Sequence, residues 1–448
     1  MLNRTFTSVL LTWSKAVGRR PLIVRGARQV GKTHTILEFG KNNFARVAEI
    51  NFEKRPEFAT LFERGGTAEL LRNISRLLGV EIEPGNTLLF LDEVQECPKA
   101  IQALRYLYEE FPGLHVIVAG SLLDFTLRES SEDLRIPVGR IEFRSMHPLT
   151  FTEFLDATGN SMLVKVIDEL SITRPPHPEI HKKLLTLIND YMLTGGMPAV
   201  VMAYKQAPYS TRFFELLSAI TQSYREDFRK YRNRVEIELL EGIFRRIPLF
   251  VCKRFKFSEL YPETQSRAIR RVIDLFEMAR LVTKIVATNA NGIPLEAESN
   301  PDDYKLAMVD IGLLGSYLGI QQAPSEIWND AFVHAGALTE QFVGQELLAL
   351  HAAHQDSRLY YWRRDRRPEQ AEIDYITQLG NRIYPIEVKS GRAGHLKSLR
   401  NFIELKKMPF GIRISQHELS YRDRVLSVPL YGTSALARLV REPENLSY

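Results

Sequence analysis

Residues 26–33 have the types and spacing of a loop that binds phosphate. The stretch Gly26-Ala-Arg-Gln-Val-Gly-Lys-Thr33 fits the pattern G-x-x-x-x-G-K-[ST] at every fixed position. Its glycines let backbone N–H groups point at phosphate oxygens. Lys32 can reach the β- and γ-phosphates, and the Thr33 hydroxyl can bind Mg²⁺. A glycine-rich turn without a ligand is the alternative. The sequence therefore predicts an ATP site formed by Gly26, Ala27, Arg28, Gln29, Val30, Gly31, Lys32, Thr33 and His34.

An acidic pair further along the chain completes this prediction. Asp92 and Glu93 follow the apolar run Leu88–Leu91. Such a run is typical of a buried parallel strand, which brings its last residues to the carboxyl edge of a sheet. We expect Asp92 to hold Mg²⁺, directly or through water, and Glu93 to polarise the attacking water. A strand that merely leaves the core is the alternative, and the upstream loop favours the catalytic interpretation.

Two further polar residues follow or precede strand-like runs of the same segment. Ser121 comes just after the run His115–Ala119. It is predicted either to sense the γ-phosphate or to cap the helix that follows. Arg140 precedes the strand-like stretch Ile141–Arg144. It is predicted to stabilise phosphate charge within its own subunit or in a neighbouring one, and an exposed structural arginine is the alternative.

The C-terminal part of the sequence holds a second set of reactive residues. Glu387 and Lys389 are two residues apart, so they share one face of a predicted strand, while Ile386 and Val388 face the other way. Asp374, on the preceding predicted strand, can join them. Two carboxylates and a lysine around Mg²⁺ or Mn²⁺ can activate water against a phosphodiester. Charged residues that alternate on an exposed strand are the alternative.

The elements that must position these residues follow from the apolar pattern. Strands and helices alternate over residues 1–150, and residues 151–230 are mostly helical. The pattern of residues 231–330 predicts three helices and then two strands, which is the order of elements in a winged helix. Arg267, Arg270 and Arg271 would lie opposite the apolar face of the third helix, as DNA recognition requires. A solvated face or a protein-binding surface is the alternative.

Composition limits the class of protein. The 448 residues are too many for one core, so two to four domains are expected. The net charge of +5 permits a nucleic-acid partner without arguing for one. Two cysteines far apart exclude a disulfide framework and suit a reducing cytoplasm. The N-terminal apolar run is too short for a signal peptide, and no segment resembles a membrane span, so we expect a cytoplasmic protein without a membrane partner.

Several of these motifs together carry a family resemblance. They are the phosphate loop, Leu-Phe-Leu-Asp-Glu-Val-Gln, Ala-Gly-Ser121, Gly139-Arg140, Pro148-Leu-Thr-Phe-Thr-Glu-Phe154 and Gly195-Gly-Met-Pro198. The sequence resembles bacterial and archaeal AAA+-like ATPases in which an AAA domain precedes a DUF4143 domain, close to archaeal-type ATPases of the STAND group. His34 follows Thr33 where that family commonly has Thr or Ser, and no second arginine sensor stands out.

The C-terminal pattern, an Asp followed by Glu-x-Lys, resembles the PD-(D/E)xK restriction-endonuclease-like fold. The resemblance implies metal binding by Asp374 and Glu387, a catalytic Lys389, and Glu346 on an upstream helix as a helper ligand. The predicted fold class is α/β, with a P-loop parallel sheet. The predicted domains are an AAA+-like ATPase core at 1–150, a helical lid at 151–230, a winged helix at 231–330 and a nuclease-like domain at 331–448.

Three functional hypotheses follow from these patterns. The first is an ATPase coupled to a metal-dependent nuclease that acts on nucleic acid. The second is an ATP-gated switch that binds DNA or a partner without cleavage. The third is a STAND-type signalling ATPase with a protein target. A homo-oligomer is expected if Arg140 acts on a neighbouring subunit.

Overall fold

The computed structural model of the chain describes most of its residues. The described residues are 2–63, 65–121, 123–124, 137, 139–231, 235–262, 264–320, 335–351, 358–364, 371–391 and 396–445. The sequence also predicts a basic cluster at residues 362–368, of which only 362–364 are described. Among the described helices, none is long and apolar enough to cross a membrane.

The N-terminal part folds around a parallel sheet. Its five strands lie in the order β2-β3-β4-β1-β5, and all neighbours are parallel. Leu88 and Phe90 of one central strand pack on one face, while Leu89 and Leu91 pack on the other. This alternation explains the unbroken apolar run before Asp92. The strands are β1 Leu22–Arg25, β2 Arg46–Asn51, β3 Thr87–Asp92, β4 His115–Ala119 and β5 Glu142–Ser145.

Four helices accompany this sheet. They are α1 Phe6–Lys15, α2 Lys32–Asn43, α3 Thr67–Leu78 and α4 Pro98–Glu110. The sequence predicts one helix over residues 58–78, but the structure has a 3₁₀ helix at Pro56–Phe62 and then α3. The helical conformation is interrupted between them because Gly65 has a φ of 101°, which only glycine adopts readily.

A helical segment follows the sheet, as predicted. Its five α-helices are α5 Phe151–Ala157, α6 Ser161–Asp168, α7 Pro178–Thr194, α8 Pro198–Gln206 and α9 Thr211–Asp227. Then come α10 Ile237–Phe250, α11 Phe257–Leu260 and α12 Ser266–Met278, followed by the antiparallel strands β6 Val282–Thr288 and β7 Ser299–Met308. The apolar face of α12 is buried at Ile269, Val272 and Ile273, while Arg267 and Arg271 are exposed.

The remaining strands join β6 and β7 in a second sheet of eight strands. Its order is β12-β13-β11-β10-β9-β8-β6-β7, and β6 pairs with β8 in parallel. The predicted boundary at residue 330 therefore lies between strands of one sheet. The further elements are α13 Ile311–Tyr317, α14 Ala335–Leu350, β8 Leu359–Arg364, β9 Ala371–Leu379, β10 Arg382–Val388, α15 Lys397–Leu405, β11 Gly411–Ser415, β12 Ser420–Arg422, β13 Val425–Pro429, α16 Leu436–Leu439 and α17 Glu442–Asn445.

The order α14-β8-β9-β10-α15-β11 agrees with the predicted C-terminal pattern. Strands β8, β9 and β10 are antiparallel neighbours, and β11 runs parallel to β10. Asp374 lies on β9 and Glu387 on the adjacent β10. Since Ile386 pairs with Tyr375, the two acidic residues lie next to each other across the ladder.

Candidate functional site

The loop between β1 and α2 requires glycine at both of its fixed positions. Gly26 has a φ of 158°, and a Cβ there would lie 2.4 Å from the Met146 carbonyl oxygen. Gly31 has a φ of 95° and directly precedes α2. The loop therefore curls tightly against the end of β5 and leads into a helix N-terminus. Exposed backbone N–H groups at such an end attract anions.

Lys32 is buried inside this loop. Its Nζ donates to the carbonyl oxygens of Gly26 at 2.8 Å and Ala27 at 2.9 Å. Burial lowers the pKa of Lys32 to about 8, although the nearby Glu93 and Asp92 act in the opposite direction. A buried ammonium held only by neutral carbonyls gains from an anionic partner. Phosphate oxygens are therefore suitable acceptors for it.

Thr33 and Asp92 are brought together as predicted. The Thr33 hydroxyl donates to Asp92 Oδ2 at 2.9 Å, and the Asn51 amide donates to the same oxygen at 3.1 Å. Asp92 is only 2 % exposed, and burial raises its pKa, with Glu93 as the next cause. A hydroxyl and a carboxylate at this separation are oxygen ligands of the kind that Mg²⁺ prefers. These residues fit a magnesium ion that accompanies a nucleotide.

Glu93 is held in an unusual backbone conformation beside this pair. Its φ is 50° and its ψ 46°, the left-handed region that non-glycine residues rarely adopt. Its Oε2 accepts from the Gln95 amide at 2.6 Å and from the Ser121 hydroxyl at 3.4 Å. Strain of this kind persists where the surroundings fix a functional side chain. Ser121 thus lies beside Glu93, and its role as a phosphate sensor or helix cap stays a prediction.

The other loop residues of the prediction face in different directions. Ala27 and Val30 are buried, and the exposed His34 side chain pairs with Glu38 at 3.5 Å. Arg28 and Gln29 reach α9, where they bind Asp227 at 2.5 Å and Ser223 at 2.9 Å. The loop is therefore fastened to the helical segment by its own side chains. Sequence patterns did not indicate these contacts, because their partners lie almost two hundred residues away.

The acidic cluster forms at the junction of β9 and β10. Asp374 Oδ2 accepts from the Val388 backbone N–H at 2.7 Å, and the Lys389 ammonium donates to Glu387 Oε1 at 2.7 Å. Glu387 is 6 % exposed, and burial followed by the charge of Asp374 raises its pKa to about 7. Within the described part of the chain, Glu387 Oε2 is buried without a hydrogen-bond partner. The three predicted residues are therefore together, and one carboxylate oxygen remains available.

Two members of the cluster were missed by sequence reasoning. Burial raises the pKa of Glu340, on α14, well above its usual range, with the charge of Asp374 as the next cause. Lys305, on β7, forms an ion pair with Glu372. The described residues contain no group of three or more His, Cys, Asp or Glu side chains arranged to hold a metal ion. A metal here would therefore rest on two carboxylates and water, which suffices for Mg²⁺.

Comparison with known families agrees with this geometry. Residues 18–155 match a model described as "AAA domain", and they contain the loop, Asp92 and Glu93. This segment is similar to AAA-type P-loop ATPase domains. Residues 185–323 match "Domain of unknown function (DUF8612)", and residues 335–431 match "Domain of unknown function (DUF4143)". No curated protein matches the chain.

Solved structures show only distant similarity to the chain. The Walker-type ATPase of Pyrococcus abyssi is 14 % identical over 71 % of this chain and 96 % of its own, with a TM-score of 0.46. The ORC2 protein of Aeropyrum pernix, solved as ADPNP–ADP complexes, is 12 % identical over 71 % and 92 %, with a TM-score of 0.34. AMPPCP-bound DnaA from Aquifex aeolicus is 16 % identical over 61 % and 87 %, with a TM-score of 0.26.

The position of Arg140 corrects one prediction about the AAA domain. Arg140 pairs with Glu109, at the end of α4, at 2.8 Å, and its side chain is 45 % exposed. All strands of this sheet are parallel, so residues just before β5 lie at the amino edge, opposite the phosphate loop. A role for Arg140 in its own subunit is therefore wrong. A role in a neighbouring subunit stays a prediction, which hydrolysis by mixed Arg140→Ala and Lys32→Ala subunits would test.

The Gly195-Gly-Met-Pro198 motif joins the AAA domain to the rest of the chain. Gly196 donates its N–H to Asp310 at 2.6 Å and accepts from the Leu149 N–H at 2.7 Å. A Cβ on Gly195 would lie 2.1 Å from Asp310 Oδ1, so this position requires glycine. The motif is thus a turn that fixes the helical segment against the core, which agrees with the structural interpretation of its sequence.

Glu346 corrects a second prediction. Its carboxylate accepts from the Phe151 N–H at 2.9 Å, at the start of α5, and does not join the acidic cluster. Glu340 and Glu346 are six residues apart on α14, and this spacing turns them to different faces of the helix. On α14 it is therefore Glu340, and not Glu346, whose carboxylate is near enough to Asp374 and Glu387 for their charges to raise its pKa.

The buried Glu346 predicts a pH dependence of stability. Burial raises its pKa from 4.5 to about 8, so the folded chain keeps a proton that the unfolded chain loses above pH 4.5. The stabilisation by this proton is complete below pH 4.5 and is lost as the pH rises towards 8. We expect Glu346→Gln to raise the free energy of unfolding by about 2–4 kcal/mol at pH 8, and by much less at pH 5. Urea unfolding at both pH values measures this difference.

The exposed substitution Glu404→Gln is the control for this experiment, since the Glu404 side chain is 76 % exposed. It should not change the pH dependence. An equal effect of Glu346→Gln at both pH values would contradict the assignment.

Proposed function

We propose that this AAA-type ATPase couples the hydrolysis of Mg-ATP to metal-dependent cleavage of a nucleic-acid phosphodiester by its DUF4143 region. The observation that carries the proposal is the convergence of Asp374, Glu387 and Lys389, with one buried carboxylate oxygen of Glu387 left without a partner. Buried carboxylate oxygens without partners are costly, and a cation would compensate for that cost.

The roles in ATP hydrolysis follow from the loop geometry. Lys32 and the N–H groups of the loop bind the phosphates, and Thr33 with Asp92 would hold Mg²⁺, which neutralises phosphate charge. Glu93 orients a water and accepts its proton as the oxygen attacks phosphorus and the bond to the leaving diphosphate breaks. The Gln95 and Ser121 contacts fix the Glu93 carboxylate for this task.

The roles in phosphodiester cleavage are assigned to the acidic cluster. Asp374 and Glu387 would hold one Mg²⁺ or Mn²⁺, which supplies Lewis acidity when bound. Lys389, beside Glu387, orients the attacking water and offsets the charge that develops on phosphate. The water oxygen bonds to phosphorus and gives up its proton to solvent, one ester P–O bond breaks, and the departing oxygen takes a proton from solvent water.

Helix α14 supports coupling between the two sites. Glu340 of α14 lies in the acidic cluster, while Gln345 donates its amide to the Tyr191 hydroxyl at 2.8 Å and accepts from the Ile311 N–H at 2.9 Å. Tyr191 in turn donates to the Leu149 carbonyl. Leu149 lies three residues after Met146, whose carbonyl oxygen packs against Gly26 of the phosphate loop, so α14 reaches the neighbourhood of the nucleotide site through Tyr191.

A specific observation favours the second candidate, an ATP-gated switch that binds nucleic acid or a protein without cleavage. Lys305 already compensates acidic residues of the cluster, as a structural ion pair would. The deciding assay measures Mn²⁺- and Mg²⁺-dependent cleavage of assorted DNA and RNA, with and without ATP. Cleavage that requires metal supports the first function. Binding without cleavage under every condition supports the switch.

The exposed arginines of α12 are our candidate contact with nucleic acid, as a winged helix would supply. Arg267 and Arg271 are one turn apart and exposed, while Arg270 is bound to Asp302. We expect Arg267→Ala/Arg271→Ala to weaken DNA binding and to flatten its salt dependence by about two units of slope, because each phosphate contact contributes about one. Fluorescence anisotropy over a range of salt concentrations measures this slope.

The matched control is Arg72→Ala/Arg76→Ala on α3, an exposed pair with the same spacing. It removes the same charge but should leave the slope unchanged. Equal effects of the two double variants would mean that α12 makes no specific contact and is free to bind a protein.

A further inference from the structure

An arginine from outside the AAA match lies against the AAA domain. Arg280 follows α12, within the DUF8612 match, and its side chain is 25 % exposed. Its Nε donates to Asp124 Oδ2 at 2.9 Å. Asp124 is three residues beyond Ser121, whose hydroxyl donates to Glu93. A residue between α12 and β6 is therefore bound close to the predicted nucleotide site.

Asp124 lies at the edge of the parallel sheet where the phosphate loop is. Strands β1 and β4 are parallel neighbours, so the segments that follow them meet at the same edge. Arg25, the last residue of β1, pairs with Asp124 Oδ1 at 3.0 Å and directly precedes Gly26. Asp124 therefore holds Arg280 beside the start of the phosphate loop.

Electrostatic effects on two other residues agree with this position. Burial is the main cause of the lowered pKa values of Lys32 and His147, and the charge of Arg280 lowers both further. His147 follows Met146, whose carbonyl oxygen packs against Gly26. Arg280 is therefore close enough to the phosphate loop for its charge to act on Lys32.

The backbone conformation of Arg280 is one that favours glycine. Its φ is 59°, and the Leu281 N–H donates to the Phe276 carbonyl at 2.9 Å, as in the common turn that ends a helix at a left-handed residue. Glycine is usual at such a position because a side chain makes this conformation costly. The end of the helix therefore does not explain an arginine here, so the reason for it lies in the side chain.

The guanidinium of Arg280 has donors that are not used. Nε is the only side-chain group of Arg280 that donates a hydrogen bond to the described residues, so both Nη groups lack a partner among them. Because Asp124 also pairs with Arg25, the three side chains together carry a net positive charge. A guanidinium presents its N–H groups in a planar fork that suits phosphate oxygens. A phosphate beside the loop would therefore satisfy the Nη groups and balance the charge.

We propose that the Nη groups of Arg280 bind the γ-phosphate of ATP while Nε stays on Asp124. The inference rests on the proposed ATPase function. Glu93 must lie next to the γ-phosphorus to activate water, and the segment that carries Asp124 contacts Glu93 through Ser121, which favours the γ-phosphate over the other two. ADP lacks the γ-phosphate and would not make this contact. Arg280 thus favours the triphosphate and connects it to the DUF8612 region.

Affinities for two nucleotides test the proposal without any measurement of hydrolysis. Full-length wild type and Arg280→Gln are titrated with Mg-AMPPNP, a non-hydrolysable ATP analogue, and with Mg-ADP in an isothermal titration calorimeter. We expect Arg280→Gln to bind AMPPNP at least about tenfold more weakly, because a charge-assisted hydrogen bond is lost, and to bind ADP as the wild type does. Wild-type affinity for both nucleotides, or an equal loss for both, would overturn the proposal.

Arg363→Gln is the matched control. Arg363 forms the same kind of ion pair, from its Nε to Asp303 at 2.6 Å, and its side chain is also 25 % exposed. It lies on β8, in the second sheet rather than beside the phosphate loop. This variant should bind both nucleotides as the wild type does. If it also loses affinity for AMPPNP alone, the cause is a general loss of positive charge and the proposal fails.

Arg280→Gly guards against misfolding of Arg280→Gln. Glycine suits the left-handed backbone at this position, and Asp124 keeps Arg25 as a partner. We expect the same selective loss of AMPPNP binding, and an unchanged ratio of the two affinities would overturn the proposal. If the wild type binds neither nucleotide, the proposed ATPase function fails together with this inference. If the wild type binds both and neither Arg280 variant alters their ratio, only this inference fails.

Discussion

Glu93→Gln is expected to abolish ATP hydrolysis while ATP still binds. Glutamine preserves the size of the side chain and the contact with Gln95, but it cannot accept a proton from water. Loss of a positioned general base typically costs about 10²–10⁴-fold in rate. Steady-state phosphate release should therefore fall by at least about 100-fold. The ATP-induced shift in melting temperature should persist, because Lys32, Thr33 and Asp92 are untouched.

Glu96→Gln is the matched control. Glu96 is exposed at the end of the short 3₁₀ helix Val94–Glu96, which Glu93 directly precedes, so Glu96→Gln makes the same chemical change away from the site. It should hydrolyse ATP at the wild-type rate. Normal turnover in Glu93→Gln would refute the role of Glu93, and loss of the ATP-induced shift would show that the substitution disturbs binding.

The nucleotide site was predictable because its residues are local in sequence. The loop, its glycines and Lys32 occupy eight consecutive positions, and Asp92 follows an apolar run whose burial on both faces is explained by a parallel sheet. The position of the acidic pair at the sheet edge then follows from strand direction alone. The same rule, applied to the strand after Arg140, places that arginine at the opposite edge.

The exchange of Glu346 for Glu340 could not be predicted from the pattern. Residues 341–348 of α14 are all buried, so the helix shows no polar face that would tell which side meets which neighbour. Gln345 contacts Tyr191 and Glu346 contacts Phe151, both in the helical segment, whereas Glu340 lies near the acidic residues of the cluster. These different roles depend on contacts with elements that are distant in sequence, which the pattern of α14 itself does not show.

The strand pairing of the second sheet also could not be predicted from local sequence patterns. A helix-helix-helix-hairpin order predicts a winged helix, and nothing local indicates that β6 also pairs with β8, about seventy residues later. Because of that pairing, β7 brings Lys305 towards β9. Pairing between strands that are distant in sequence therefore brings Lys305 to the acidic cluster, although neither the phosphate-loop motif nor the Asp and Glu-x-Lys pattern contains it.

Asp374→Asn and Lys389→Ala should each abolish metal-dependent cleavage of nucleic acid and leave ATP hydrolysis intact. Asparagine can still accept from the Val388 N–H through its amide oxygen, so the β9–β10 junction should keep its geometry while the charge that holds a cation is lost. Lys389→Ala removes the ammonium that offsets charge on phosphate. We expect at least a 100-fold loss of cleavage for each, on the order of the effect of a positioned catalytic group.

Lys397→Ala, an exposed lysine of α15, is the control for lost positive charge and should cleave like the wild type. Phosphate release from ATP, measured on the same preparations, shows whether a variant that does not cleave nucleic acid is still folded. Cleavage that survives in both variants would come from another site or a contaminant. If the wild type binds nucleic acid but cleaves no substrate with metal and ATP present, the clustered residues form a binding module, because carboxylates compensated by Lys305 and Lys389 can stabilise the fold without activating water.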